Sequence, residues 1–137
     1  MTTILDQSAS ALSDGIHDVR GGAFVMVSGT VLVNAYDGAS IDAREYAYIR
    51  AHDNAYVLAY DQSTVCAYGN SLVDAAERTW VIADENATVY AIQHAHVAAY
   101  GNASIWASGN AIVTVDPSHT GIVRLFDNAT IAEANQP

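Results

Sequence analysis

The sequence repeats itself every eight residues, and this period constrains the fold more than any other feature. Cut at that interval, residues 37–116 read DGASIDAR, EYAYIRAH, DNAYVLAY, DQSTVCAY, GNSLVDAA, ERTWVIAD, ENATVYAI, QHAHVAAY, GNASIWAS and GNAIVTVD. The third position is always Ala, Ser or Thr, the fifth is Val or Ile, and the seventh is Ala in every octad but the last. Apolar residues at alternate positions indicate a strand with one buried face, and the Asp, Glu, Gly or Gln that opens each octad indicates a turn.

Short strands with the same inward residues predict an all-β fold, a parallel β-solenoid (β-helix), because each strand of a stacked coil lies above its own equivalent. An antiparallel meander would not require that identity. The second octad position indicates the coil length, because in alternate octads it is Gly38 and then the series Asn54, Asn70, Asn86 and Asn102. This series predicts 16-residue coils with two strands and two corners. It also predicts a structural Asn ladder at one corner, since Asn tolerates left-handed backbone and stacked amides can bond to one another.

The repeat frame extends upstream to Gly21 and resumes downstream of a two-residue insertion at Pro117-Ser118. We therefore expect about seven coils, over residues 21–36, 37–52, 53–68, 69–84, 85–100, 101–116 and 119–134. The predicted organisation is an N-terminal cap over residues 1–20, a solenoid of octad repeats over 21–134 and a tail over 135–137. In the cap His17 stands where the pattern asks for Val, and a short helix over residues 4–12 is an open alternative.

Charge and cysteine content exclude several classes of function. The chain has 15 acidic residues and five basic ones, all of them Arg, for a net charge of −10. Nucleic-acid backbones and anionic membranes both require clustered positive charge, so we expect neither as a direct partner. The single Cys excludes a disulfide framework. No apolar run is long enough to span a membrane and no basic segment precedes an apolar one at the N-terminus, so we expect a cytoplasmic protein.

The outward positions of the first strand in each coil form an unusually apolar face. Its predicted aromatic and apolar interface consists of Tyr56, Leu58, Tyr60, Tyr90 and Trp106. Because a monomer rarely leaves a contiguous apolar face in water, a homodimer through this face is the simplest interpretation. The alternative is that aromatic side chains suit strands and only stack along the sheet.

Acidic residues recur at the first octad position and fall at both corners of the coil. The predicted acidic binding edge consists of Asp37, Glu45, Asp53, Asp61, Glu77 and Glu85. Turn chemistry accounts for Asp, but Glu is a poor turn former, so we do not expect turn chemistry to account for the Glu residues. Like charges at strand spacing also repel one another, which favours a role for this edge in binding a basic protein surface.

Residues that could carry chemistry are sparse. His94 and His96 lack a third partner, so we expect no metal site. Acidic corners are similar to the calcium-binding nonapeptide repeat, but here the period is eight and a double glycine occurs once, at Gly21-Gly22. Cys66 lies at an outward position, and we find no His or Arg that the repeat places beside it. We therefore expect no catalytic residue and no cofactor, and predict that the protein is not an enzyme.

The Gly/Asp-Asn-Ala-x-Val-x-Ala unit over residues 21–134 resembles the short-repeat β-solenoids found in bacterial and phage proteins. The resemblance is to an architecture and implies no catalytic residue. Pentapeptide-repeat proteins offer one analogy, since they are acidic, dimeric β-helices of which some mimic DNA and inhibit topoisomerases; this chain lacks their five-residue period. Bactofilins, cytosolic β-helices that polymerise end to end, offer another, but aromatic side faces and a distinct N-terminal cap fit filament growth less well.

Three functions follow as hypotheses. The first is a non-catalytic inhibitor or decoy that mimics nucleic acid and binds a basic nucleic-acid-binding protein or complex; a rod of about 34 Å approaches one turn of DNA. By analogy, such a protein would suit a phage that opposes a host defence complex such as a CRISPR effector, in the host cytoplasm. The second is a structural or assembly module of a phage particle or scaffold, joined through the aromatic face. The third is a carbohydrate-binding surface on Trp80 and Trp106.

Overall fold

The computed structural model describes residues 2–5 and 9–133, and the chain winds into a parallel β-solenoid with two sheets and about eight turns. The strands are β1 (Thr2–Leu5), β2 (Ala9–Leu12), β3 (Ile16–Val19), β4 (Phe24–Val27), β5 (Leu32–Ala35), β6 (Ser40–Ala43), β7 (Tyr48–Ala51), β8 (Tyr56–Ala59), β9 (Thr64–Ala67), β10 (Leu72–Ala75), β11 (Trp80–Ala83), β12 (Thr88–Ala91), β13 (His96–Ala99), β14 (Ser104–Ala107), β15 (Ile112–Val115), β16 (Val123–Leu125) and β17 (Thr130–Glu133). Odd-numbered strands form a nine-stranded sheet and even-numbered strands form an eight-stranded sheet. The predicted all-β solenoid with two strands per coil is confirmed.

The register of the strands follows directly from the octad. Ile41 pairs with Val57, and Val57 pairs in turn with Val73, so within the octad repeats each residue lies beside its equivalent in the next coil. All neighbouring strands in both sheets are parallel, because every coil runs in the same direction. Any property of one octad position is therefore repeated as a row along the solenoid.

The core is a stack of small side chains between the two sheets. In a representative octad, Ala55, Val57 and Ala59 point inward and are fully buried. The removal of this apolar surface from water is the main favourable term for folding. Three third positions carry hydroxyl groups in place of Ala, and these are Ser63, Ser71 and Thr79, all fully buried.

Each corner is a tight turn whose second residue is left-handed. At one corner the Ala55 N–H donates to the carbonyl oxygen of His52 at 3.0 Å, and Asp53 between them has a φ of 56°. The non-glycine residues with positive φ, between 55° and 60°, are Asp37, Glu45, Asp53, Asp61, Glu77, Glu85, Gln93 and Asp127. No Asn among the described residues has positive φ, so the expectation that Asn supplies the left-handed backbone is wrong. Instead the Asn54 N–H donates to the Asp37 carbonyl oxygen of the preceding coil, at 2.9 Å, and continues the sheet ladder around the corner.

The described part of the N-terminal segment continues the solenoid. Strand β3 pairs with β5, β1 pairs with β3, and β2 pairs with β4. Residues 4–5 and 9–12 lie in strands, so the alternative of a helix over 4–12 is wrong. The solenoid consequently has about eight turns where the sequence indicated seven.

The atypical His17 lies within a coil, with one ring nitrogen paired locally and the other, Nδ1, buried without a hydrogen-bond partner. Its Nε2 lies 2.8 Å from the carbonyl oxygen of Asp14, and the next inward position, Val19, is fully buried. One polar residue in the Val row therefore does not stop the strand from joining the sheet. The predicted tail over residues 135–137 lies outside the described residues.

The insertion at Pro117-Ser118 changes the spacing of the last coil without breaking the ladder. Ile105 pairs with Val123, two positions further along the chain than the coil length of the preceding turns would give. The Asp116 carboxylate accepts hydrogen bonds from the hydroxyl and the backbone N–H of Ser118, and these bonds lower the pKa of Asp116. The two extra residues are thus held in a local loop.

Candidate functional site

The corner carboxylates form a ladder that ties each coil to the one before it. The Asp61 carboxylate accepts a hydrogen bond from the Glu45 backbone N–H at 2.9 Å, and the Glu77 carboxylate accepts one from the Asp61 N–H at 3.0 Å. Glu45 itself accepts from the Gly29 N–H at 3.1 Å. Because the N–H of a left-handed corner residue points away from the sheet ladder, the side chain one coil later supplies its acceptor.

The other corner carries a shorter version of the same ladder. The Asp37 carboxylate accepts from the Gly21 N–H, and the Asp53 carboxylate accepts from the Asp37 N–H, both at 3.0 Å. At Glu85 the arrangement differs, since its backbone N–H donates to Oδ1 of Asp84, its neighbour in sequence, at 2.7 Å. Five of the six predicted edge residues are therefore also structural acceptors.

The glutamates at the corners have a physical explanation that the sequence argument missed. Glu45 and Glu77 reach the same backbone N–H as Asp does, from the same left-handed corner position. For Glu45 and Glu77, the expectation that turn chemistry does not account for Glu is therefore wrong. The signal was present in the sequence, because the two members of every such pair are separated by one coil length.

The corner bond does not itself require a negative charge. At the next position of the row, Oε1 of Gln93 accepts from the Glu77 N–H at 2.8 Å, as a carboxylate would. An amide oxygen is an equivalent acceptor that adds no charge. The backbone bond alone therefore does not explain why Asp and Glu predominate at the other corners, because an uncharged side chain makes the same bond.

These carboxylates are accessible to a partner. Asp37, Glu45, Asp53, Glu77 and Glu85 are exposed and Asp61 is partly exposed. A shallow groove of about 300 Å³ runs along the corner that carries Glu45, Asp61 and Glu77, and it is lined by Asp61, Gln62, Glu77, Arg78, Gln93 and His94. The corner therefore presents carboxylates in a row, at about 4.8 Å per coil, with one arginine beside them.

The predicted Asn ladder lies at one corner, next to the acidic row. Its observed link joins Nδ2 of Asn102, the donor, to Oδ1 of Asn86 at 3.1 Å. Asn54, Asn70, Asn86 and Asn102 are all exposed second positions. Stacked amides of this kind add to the backbone ladder but form no binding pocket.

The predicted aromatic interface lies on the outer face of the eight-stranded sheet. The rings of Tyr90 and Trp106 stack with centroids 5.4 Å apart, and Tyr90 is 44% exposed. A groove of about 250 Å³ beside them is lined by Leu58, Tyr60, Asp74, Ala75, Ala76, Tyr90 and Ile92. The repeat thus brings the five predicted residues to one face.

The Tyr56 side chain is held in place by a hydrogen bond within this face. Its hydroxyl donates to Oδ2 of Asp74, and this hydrogen bond, with burial as a second cause, raises the pKa of Tyr56 to about 12. Nearby, the guanidinium of Arg44 lies 4.6 Å from the centre of the Tyr60 ring and donates through Nε to Oδ1 of Asp42 at 2.9 Å. The face is therefore an ordered surface with its own polar contacts.

The nine-stranded sheet carries two ring stacks, one along the corner series Tyr36, His52 and Tyr68 and one within the strands. The guanidinium of Arg20 lies 4.4 Å from the centre of the Tyr36 ring, Tyr36 stacks on His52 at 4.9 Å, and His52 stacks on Tyr68 at 5.3 Å. Their spacing of one coil length was the available signal. The second stack pairs Trp80, 55% exposed, with His96 at 4.5 Å.

The tryptophans of the carbohydrate hypothesis do not form a common site. Trp80 lies in β11 of the nine-stranded sheet and Trp106 lies in β14 of the eight-stranded sheet. The two side chains consequently face opposite sides of the solenoid. A sugar could stack on only one of them at a time.

Cys66 is buried although it lies on an outward position, with 5% of its surface exposed. The hydroxyl of Tyr48 is 3.1 Å from its Sγ, and this contact raises the pKa of Tyr48. The register places Arg50 directly beside Cys66, so the statement that no His or Arg lies next to it is wrong. The neighbouring side chains nevertheless cover the thiol, which leaves it little access to a substrate.

Residues 2–5 and 9–133 contain no arrangement of side chains typical of a metal site. No group of three or more His, Cys, Asp or Glu side chains there is placed to hold a metal ion, and His94 and His96 gain no third partner. Within the same ranges, no helix is long and apolar enough to cross a bilayer.

Comparison with known proteins finds no matching family model, no similar curated protein and no similar solved structure. The class of the protein is accordingly defined by its own architecture, a two-sheet parallel β-solenoid of 16-residue coils with acidic corners.

Proposed function

We propose that this chain is a non-catalytic acidic binding protein, a nucleic-acid mimic that acts as an inhibitor or decoy of a basic nucleic-acid-binding protein or complex. The observation that carries the proposal is the comparison of Gln93 with its neighbours in the corner row. Gln93 makes the backbone bond without charge, whereas Glu45, Asp61 and Glu77 make the same bond with charge. The negative charge of Glu45, Asp61 and Glu77 is therefore not needed for the backbone bond and is available to bind a partner.

The density of charge along the rod supports the same proposal. About eight turns at about 4.8 Å give a rod of about 38 Å, so a net charge of −10 corresponds to one negative charge per about 4 Å. A single strand of B-DNA carries one per about 3.4 Å along its axis. A cationic groove shaped for nucleic acid would therefore meet a comparable average charge per unit length on this rod.

The proposal also includes the biological context in which the protein acts. The resemblance to short-repeat solenoids of bacteria and phages suits a phage-encoded protein that works in the host cytoplasm against a defence complex, in the manner of an anti-CRISPR protein. The partner is then a protein with a basic surface and not the nucleic acid itself.

The test compares two triple variants of equal net charge. The corner variant carries Glu45→Gln, Asp61→Asn and Glu77→Gln, and each amide keeps the backbone bond, as Gln93 does. The control variant carries Asp18→Asn, Asp84→Asn and Asp116→Asn, away from the corner that carries Glu45, Asp61 and Glu77. Each protein is immobilised, exposed to nuclease-treated bacterial lysate and washed with low and then high salt, and a retained nucleic-acid-binding complex is purified with its labelled DNA or RNA.

We expect the wild-type chain and the control variant to retain the complex at low salt, to release it at high salt, and to displace its nucleic acid. The corner variant should lose both retention and displacement. Equal binding by the two variants, or a retained complex that keeps its nucleic acid when the chain is added, would overturn the proposal.

A further inference from the structure

We infer that a second copy of this chain docks on the eight-stranded sheet, face to face and with the two rods antiparallel. The surface concerned is the outer face of β10, β12, β14 and β16. Charge does not oppose self-association through this face. The strands of this sheet and the residue after each carry Asp42, Arg44, Asp74 and Arg124, two charges of each sign, although the whole chain is at −10.

The order of side chains along the central row specifies the orientation of the second copy. The strand register places Asp74 beside Tyr90, Tyr90 beside Trp106, and Trp106 beside Arg124. Consider a twofold axis in the interface that runs parallel to the strands, midway between the two aromatic rings. It sets Tyr90 against Trp106 of the second copy and Asp74 against Arg124 of the second copy, and each contact occurs twice.

The other twofold arrangement is disfavoured by the same four residues. An axis parallel to the rod would keep the two copies parallel and set Asp74 against Asp74 and Arg124 against Arg124. Like charges placed directly opposite one another are destabilising. The Tyr56 hydroxyl engages Oδ2 of Asp74, which leaves Oδ1 to accept from the guanidinium of the second copy.

The outer pairs of the flanking rows are apolar under the same antiparallel operation. Leu72 faces Ile122 of the second copy, and Ala76 faces Phe126 of the second copy. Ile122 and Phe126 are among the most exposed apolar side chains of the protein, at 50% and 52%. Between these apolar pairs, Thr88 faces the polar Ser104.

The small size of the contact limits its strength. Four strands at about 4.8 Å and a width of about five residues give roughly 320 Å² of flat area per copy, well below the roughly 800 Å² of a standard interface. We therefore expect a reversible dimer that forms at high concentration and dissociates on dilution.

The experiment is sedimentation velocity of the whole chain from micromolar to millimolar concentration, with paired charge reversals. The wild-type chain should shift from monomer to dimer. Asp74→Arg and Arg124→Asp should each remain monomeric, because each puts like charges at both contacts. An equimolar mixture of these two variants should regain the dimer, because the mixed pair has opposite charges at both contacts.

Arg78→Asp is the matched control, since it makes the same change of charge at a corner outside the face, and it should dimerise like the wild-type chain. A wild-type chain that stays monomeric at millimolar concentration overturns the inference, as does an Arg124→Asp variant that dimerises as the wild type does. If Asp74→Arg does not fold, the comparison of Arg124→Asp with Arg78→Asp decides alone. The inference does not rest on the proposed function, because the corner variant leaves this face intact and should dimerise normally whether or not a partner binds the corners.

Discussion

The carboxylate of Asp61 accepts a hydrogen bond from the backbone N–H of Glu45, one coil earlier, at 2.9 Å. Glu45 has a φ of 59°, and its N–H would otherwise lack an acceptor at the corner. The acidic edge therefore has a structural function and a surface charge in the same residues. Substitution by the matching amide separates the two, because the amide oxygen keeps the bond and removes the charge.

The first prediction concerns this corner bond. Asp61→Asn should change the free energy of unfolding by less than about 0.5 kcal/mol. Asp61→Ala should lower it by about 1–3 kcal/mol, because it deprives the Glu45 N–H of its acceptor and places Ala at a left-handed φ. Urea denaturation at neutral pH measures both values. Equal effects of the two substitutions would show that the bond contributes nothing.

The second prediction concerns the hydroxyl groups in the core. Ser71 Oγ and Thr79 Oγ1 are buried without a hydrogen-bond partner, whereas Ser63 Oγ donates to the carbonyl oxygen of Tyr60 at 2.9 Å. Ser71→Ala and Thr79→Val should therefore raise the free energy of unfolding by about 1 kcal/mol, and Ser63→Ala should lower it by a similar amount. Thermal denaturation of the three variants tests the signs. A loss of stability in Ser71→Ala comparable to that in Ser63→Ala would contradict this account.

The third prediction concerns the glycine that follows the insertion. A Cβ on Gly121 would lie 2.0 Å from the carbonyl oxygen of Ala103, which is backbone and cannot move away easily. Gly121→Ala should thus lower the free energy of unfolding by about 2 kcal/mol or more. Gly22→Ala is the control, because nothing lies within 4 Å of its Cβ and its φ is ordinary. It should be neutral or slightly stabilising, and a Gly121→Ala variant as stable as Gly22→Ala would refute the close approach.

The fourth prediction concerns pH. The pKa of Tyr56 is raised from 10.0 to about 12 by its hydrogen bond to Asp74. A raised pKa means that the folded state favours the protonated phenol, so the stabilisation is fully present below pH 10 and is lost as the pH rises through about 12. The free energy of unfolding measured across this range should fall more steeply in the wild type than in Tyr56→Phe. Parallel curves for the two proteins would contradict the assignment.

The fifth prediction concerns the ring stack on the nine-stranded sheet. His52 contacts Tyr36 on one face and Tyr68 on the other. His52→Ala removes two ring contacts and should lower the free energy of unfolding by about 1–3 kcal/mol. His94→Ala, at an exposed corner, is the comparison and should have an effect below about 0.5 kcal/mol. Chemical denaturation distinguishes the two, and a small effect at His52 would show that the stack follows from the sheet spacing without stabilising it.

Sequence periodicity alone determined the architecture of this protein. Stacked coils place every octad position beside its own equivalent, so the Val57 row and the flanking Ala rows specify the inward faces, and the Asn54 series specifies a coil of two octads. The same logic predicted the face that carries Tyr90 and Trp106. Even the insertion at Pro117 was visible, because the frame resumes two residues late.

Only the tertiary structure decided what the side chains at those positions contact. The period places Asp61 near both Glu45 and Glu77, but the direction of its hydrogen bond follows from the left-handed backbone of the corner, which the sequence pattern assigned to Asn. In the same way, a position facing outward implied exposure for Cys66, yet Cys66 is buried and the hydroxyl of Tyr48 lies 3.1 Å from its Sγ. A repeat specifies which residues are neighbours, because that depends only on the coil length. Burial and hydrogen bonding depend on the rotamers that those neighbours adopt, which the period does not encode.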